Sequence, residues 1–314
     1  MVIAASVSVA AATFLCFTWA EEFTVLFALV VVFALFSTAS GPLSTALILS
    51  EAERLQSEYG RLRLWGSVGF AAGILGAGAF VGHWGVQAIF ALYPAAVLVS
   101  LLPLYWSGDT TIGQEPTCLT QVWRSLRSKG VFAVLLLAFL WRVSSAAYYT
   151  FYTIFLDGMG AAPTLISIAW AIGLVGEVTV LRLSGRIVKS RGIRFLLMVG
   201  LLGSAFRWIA YALAPTPEWT LPFQLLHGLT FGACTTAAVL MVDNVFPPGL
   251  RATGQGILNT VMWGVGGLVG SLAAGALFQS VGVRSLFALS GLGAAMAAVL
   301  AWRLPPRPSL AGYR

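Results

Sequence analysis

The sequence predicts an all-α membrane protein of about ten spanning helices, and three observations carry that expectation. Only 9% of the 314 residues are charged and 59% are apolar. A soluble domain carries roughly a quarter charged residues, so this chain has too few charges to cover a water-facing surface. The apolar residues gather into runs long enough to cross a bilayer, which takes roughly 20 residues of helix. The basic residues fall almost entirely in alternate loops between those runs.

Residues 2–20 form the first run. They lack the positively charged start of a cleavable signal peptide and are long for one, so the stretch is read as a membrane helix. Runs at 24–49, 62–82 and 86–106 come next, and then a polar stretch over 107–130. Six more runs occupy 131–155, 163–183, 193–213, 220–242, 253–278 and 286–302. Eleven tryptophans and twenty phenylalanines suit helices anchored at membrane interfaces.

Charge sets the orientation. Arg54, Arg61 and Arg63 fall in one set of loops, with Arg124, Arg127, Lys129, Arg186, Lys189, Arg191, Arg194 and Arg251. Arg303, Arg307 and Arg314 lie in the tail on that side. The opposite loops hold Glu21, Glu22, Asp157 and Glu218, and among strong bases only Arg284. Basic loops stay cytoplasmic during insertion, so both termini are expected in the cytoplasm of a cell with this protein in its inner membrane. The net charge of +7 is therefore topological, and no nucleic-acid partner is implied.

The third and ninth runs repeat one another. Gly69, Gly73, Gly78-Ala79 and Gly85 recur as Gly266, Gly270, Gly275-Ala276 and Gly282, at a constant offset of 197 residues that also sets Arg54 opposite Arg251. Parallel repeats of two helical halves are a known membrane architecture, and spaced glycines let helices approach closely in lipid. The same offset would put the counterpart of residue 131 about 66 residues ahead of Met1, room for two further helices at roughly 20 residues each. The expected organisation is an incomplete N-terminal bundle of four spans over 1–106, a cytoplasmic linker over 107–130, a six-helix bundle over 131–303 and a cytoplasmic tail over 304–314.

The residues resemble a known family at this point. Two halves and a polar linker are similar to the major facilitator superfamily. The stretch Tyr59-Gly60-Arg61-Leu62-Arg63-Leu64-Trp65-Gly66-Ser67 resembles its phenylpropionate permease branch, relatives of nucleoside and lactose proton symporters. Ala146-Ala147-Tyr148-Tyr149, Gly176-Glu177-Val178, Arg207-Trp208 and Leu226-His227 extend the resemblance over nearly the whole chain. It implies a six-plus-six fold in which these spans are helices three to twelve, working as a monomer. Gly185 stands where the family pattern would have an aspartate.

Ionisable residues at bilayer depth are costly and usually functional. At 1.5 Å per residue, Arg142, Glu177, Arg207 and His227 each sit about 8–13 residues inside consecutive spans, so a shared polar cavity is expected. Glu177 is the natural proton carrier and His227 a titratable companion. Arg142 and Arg207 suit a carboxylate substrate, and Tyr148, Tyr149 and Trp170 would offer aromatic faces. A plain Glu177–Arg207 ion pair locking two helices is the duller alternative. Asp243 reads as a gate or a cap partner for Arg251, and Arg61 and Arg63 as gate residues at the cytoplasmic end of the third span.

Enzyme chemistry finds little material. His83 and His227 lie in different halves, Cys16, Cys118 and Cys234 lack metal-ligand spacing, and no GxxxxGK[ST] phosphate loop exists. No metal or cofactor is expected. Proton-coupled symport of a small organic anion, such as an aromatic carboxylate, is the leading reading. A nucleoside or sugar symporter and a non-transporting fragment or sensor are the alternatives.

Overall fold

A computed structural model describes residues 2–106 and 119–303. Cys118 and the tail residues Arg307 and Arg314 lie outside the described residues. The N-terminal part holds α1 (Val2–Cys16), α2 (Phe23–Arg54), α3 (Tyr59–Trp84) and α4 (Ile89–Trp106). A short α5 (Leu119–Leu126) then leads into α6 (Lys129–Ser144) and α7 (Ala146–Gly158). The polar linker thus contains a helix. Leu119 and Trp123 of α5 are exposed, while Val122 and Leu126 pack on the core.

The helix α8 runs from Pro163 to Ala212. The loop expected over 184–192 is helical instead, and the chain breaks direction at one residue. Gly192 has φ +84, a left-handed conformation that glycine adopts without penalty. The next stretch joins α9 (Leu221–Gln224), a π-helical turn at Gly228–Ala233 and α10 (Cys234–Val245). Then come α11 (Arg251–Asn259), a second π-helical turn at Thr260–Gly266 and α12 (Gly267–Arg303), itself broken at Gly282 with φ +74.

Among the described residues, five stretches are long and apolar enough to cross a membrane: Phe23–Arg54, Lys129–Gly158, Thr164–Ala212, Glu218–Val245 and Pro248–Arg303. The third and fifth run to 49 and 56 residues, more than twice what one crossing takes, and each contains one of the two glycine breaks. Large apolar side chains such as Phe70, Leu98, Leu272 and Met296 point outward, as lipid-facing surface requires.

The repeat shows in the backbone. Gly85 and Gly282, 197 residues apart, both have positive φ, each ending a glycine-rich helix. The glycine rows ahead of them differ. Gly270 is pressed on α6 and α7, where an added methyl would come 2.6 Å from the Ala146 Cβ. Added methyls at Gly69, Gly73 and Gly275 would meet nothing, so close packing explains Gly266 and Gly270 and not the whole of either row.

Candidate functional site

Two helices meet backbone to backbone at Gly176 of α8 and Gly228 of the first π-helical turn. A methyl on Gly176 would strike the Leu225 carbonyl, and one on Gly228 the Gly176 carbonyl. Small residues at such crossings let helices close on one another in lipid. Each glycine is followed or preceded by an ionisable residue, so the crossing sets Glu177 beside His227, with Oε2 and Nε2 3.8 Å apart.

The polar chain continues inward. Arg207 Nη1 lies 3.2 Å from His227 Nδ1. A guanidinium only donates, so Nδ1 is the acceptor and the imidazole proton sits on Nε2, facing Glu177. His227 therefore stands between Glu177 and Arg207, hydrogen-bonded to Arg207 and 3.8 Å from Glu177, in place of the direct ion pair considered from sequence. The remaining donors of Arg207 are spent inside the protein. Nε donates to the Tyr211 hydroxyl at 3.0 Å, Nη1 also to Thr230 Oγ1 at 2.8 Å, and Nη2 to Gln224 Oε1. Tyr148 donates to the same Gln224 oxygen at 3.3 Å. The Tyr148 and Trp208 rings cover the guanidinium at 4.3 and 4.9 Å, and no part of Arg207 is exposed.

Arg142, on α6, differs. It is 8% exposed, yet its Nε and Nη1 make no hydrogen bond within the protein. Its guanidinium lies 4.9 Å from the Tyr149 ring centre and 5.1 Å from that of Trp263, within cation–π range. Gly266 and Gly267 make the room, since methyls there would come 3.2 Å from Arg142 Cβ and 3.5 Å from Nη2. The four ionisable residues thus divide into the Glu177–His227–Arg207 chain and a separate Arg142 box, bridged by Tyr148 and Tyr149 with ring centres 5.1 Å apart. Trp170 stands 5.2 Å from Tyr148 at the partly exposed edge of this cluster.

Trp263 also walls a cavity between the N- and C-terminal helices, of about 510 Å³ with its open mouth. Thr45, Tyr59 and Arg63 line it from α2 and α3, and Thr235, Gln255 and Asn259 from α10 and α11. Near the positively charged loops the two sets of helices are pinned together. Arg251 reaches Glu53 at 2.6 Å and Asp243 at 3.6 Å, so Asp243 does partner Arg251, with Glu53 of α2 as a third member. Lys189 of α8 pairs with Glu58 ahead of α3 at 3.1 Å. A side chain at Gly185 would collide with the Glu58 carboxylate, so the glycine that departs from the family pattern is what seats Glu58. Arg63 folds back on Gly66 and donates to Ser67 at 3.4 Å, while Arg61 is exposed.

Sequence reasoning missed Trp263, Gln224, Thr230, Ser67, Glu53 and Glu58. Of these, only Ser67 lies inside a stretch that the sequence singles out. No group of three or more His, Cys, Asp or Glu residues suited to a metal occurs among the described residues.

Several known proteins are similar to this chain. It is 26% identical over 282 residues to an uncharacterised transporter of Bacillus subtilis and 29% identical over 268 residues to the maltose permease of Geobacillus stearothermophilus, covering 87% and 82% of this chain. It is 28% identical over 212 residues, 66% of its length, to the "Probable 3-phenylpropionic acid transporter" of Escherichia coli. The matched stretches span 68%, 66% and 55% of those proteins' own lengths. Among solved structures, the fucose:proton symporter of E. coli superposes with a TM-score of 0.74 at 15% identity, over 97% of this chain and 84% of that one. At that identity the likeness establishes the fold alone. The helical architecture, the buried charges and a match to the MFS_1-like family model over residues 1–289 together show that the chain belongs to this family of major facilitator transporters, and is not an enzyme.

Proposed function

We propose that the chain carries a small organic anion, an aromatic carboxylate above all, across the inner membrane together with a proton, by alternating access of two helical halves. The observation that carries this reading is Arg142: a buried guanidinium with two nitrogens, Nε and Nη1, that donate to nothing in the protein, boxed by Tyr149 and Trp263. A carboxylate matches the planar donor fork, and a ring on the same substrate matches the indole and phenol faces. Glu177 supports the coupling role. It is a buried carboxylate hydrogen-bonded to one half and facing His227 of the other, so its charge bears on both. Ten crossings, with the breaks at Gly192 and Gly282 serving as turns, cytoplasmic termini and a monomeric unit complete the reading.

A sugar or nucleoside is the second reading, favoured by the hydroxyl and amide groups of Thr45, Thr235, Gln255 and Asn259 around the cavity. The similarity to a maltose permease accords with it. The test is uptake into membrane vesicles under an imposed proton gradient, with labelled phenylpropionate and labelled maltose in parallel. Phenylpropionate accumulation that Glu177→Gln abolishes, while exchange persists, is the expected result. Accumulation that survives in Glu177→Gln removes the coupling role from that residue. Maltose uptake alone transfers the case to the second reading, and tight binding without flux marks a sensor.

A further inference from the structure

Glu177 touches both parts of the molecule. Its Oε2 faces His227, while its Oε1 accepts the Ser67 hydroxyl from α3, 110 residues away, at 2.6 Å. Ser67 is 3% exposed. Arg63 Nη1 donates to the Ser67 oxygen at 3.4 Å. An ionised carboxylate only accepts, so while Glu177 is charged the hydrogen bonds run from Arg63 to the Ser67 oxygen and from the Ser67 hydroxyl to the carboxylate. Such a bond is roughly twice as strong to a charged acceptor as to a neutral one.

We propose that Ser67 is the positioning residue of the coupling carboxylate: its hydroxyl latches α3 to α8 firmly while Glu177 is charged and holds about half as strongly when Glu177 takes a proton. The proposal rests on the reading of Glu177 as the proton carrier, but the latch itself is a property of the closed seam and is measurable without a substrate. The charged and titratable groups around Glu177 are Arg63 on α3, His227 at the π-helical turn and, beyond His227, Arg207, with Tyr148 and Tyr149 on the aromatic side. Ser67 is the group that carries the influence of Arg63 to the carboxylate through a hydrogen bond. Because linkage is reciprocal, whatever closes the α3–α8 seam also favours the charged form of Glu177. The Glu58–Lys189 pair and the fit of Gly60 against Ser184 hold the same seam nearer its end, so loss of the Ser67 hydroxyl loosens the seam without dismantling it.

The experiment uses the full chain in lipid nanodiscs with its native cysteines replaced by serine. Spin labels go on Arg61→Cys and Arg186→Cys, exposed positions on α3 and α8, and pulsed electron resonance reads the distance between them. In Ser67→Ala the ratio of separated to closed seam is expected to rise about tenfold, the weight of one hydrogen bond to a charged group. Glu177→Gln, which leaves a neutral acceptor, should raise it by less, about threefold, the double variant no more than Ser67→Ala, and Ser67→Thr, which keeps the hydroxyl, should match the parent. A shift to acid pH should open the parent in the same direction as Ser67→Ala, by less. Alanine is smaller and favours helix, so Ser67→Ala folds, and a monodisperse elution profile checks it. A distance distribution unchanged in Ser67→Ala overturns the latch, as does a double variant that opens further than Ser67→Ala. Opening in Ser67→Ala without any proton-driven uptake supports the latch and counts against the transport reading alone.

Discussion

Arg142 and Arg207 are the same residue type, both buried in the C-terminal half and both faced by aromatic rings, yet their N–H groups meet opposite fates. Arg207 donates to Tyr211, Thr230 and Gln224 and lies against His227. Arg142 keeps Nε and Nη1 unspent beside a cavity wall. A buried charge is tolerable when its donors are satisfied. Arg207 meets that condition within the protein, and its work is to fix the helices that hold His227. Arg142 has no protein partner for those two nitrogens, and that difference is why Arg142, and not Arg207, is the anchor in the proposed function. Membrane depth alone made the two look equivalent; hydrogen bonding separates them.

The largest effect is expected at Arg207. Arg207→Gln should strip Gln224, Thr230 and Tyr211 of their shared donor and destabilise the fold by about 1–3 kcal/mol for each buried polar group left unsatisfied. Thermal unfolding in detergent measures it, and a variant that stays folded yet fails to bind would reverse the roles assigned here. Arg142→Gln comes next, with folding retained and half-saturation for a carboxylate substrate raised about tenfold to a hundredfold, the range for a lost hydrogen bond to a charged group. Trp263→Leu should act in the same direction by less, about threefold to tenfold, as one cation–π face is removed. Lys189→Ala should be smallest. The Lys189–Glu58 pair is exposed on the lysine side, and such pairs contribute about 0–1 kcal/mol, visible as a slight shift of the seam distance in the spin-label experiment.

Membrane class and the buried ionisable residues were legible in the sequence because they depend on composition and on distance along the chain. Arg142, Glu177, Arg207 and His227 were found by counting inward from charged loops. Their grouping was not legible, because counting gives depth and leaves open which way a side chain faces. The two π-helical turns, at Gly228–Ala233 and Thr260–Gly266, each add a residue and so rotate the rest of the helix by about 100° relative to a plain α-helix. They lie beside His227 and around Trp263, the two places where facing decides the chemistry. The breaks at Gly192 and Gly282 fall where the sequence separates its runs, at 184–192 and 279–285; what was hidden is that the helix continues through the polar residues up to a single glycine. Ser67 sat within a recognised stretch, but its partner Glu177 lies 110 residues away, a pairing that only tertiary packing creates.

The separation of the two arginines is tested most directly by binding to purified protein in nanodiscs. Phenylpropionate and its neutral amide would be titrated against the parent and Arg142→Gln. The expected result is a marked preference for the carboxylate in the parent that disappears in Arg142→Gln, with the affinity for the amide little changed. A carboxylate preference that persists in Arg142→Gln would show that the anion is held elsewhere, and would contradict the assignment of Arg142 as the substrate's anchor.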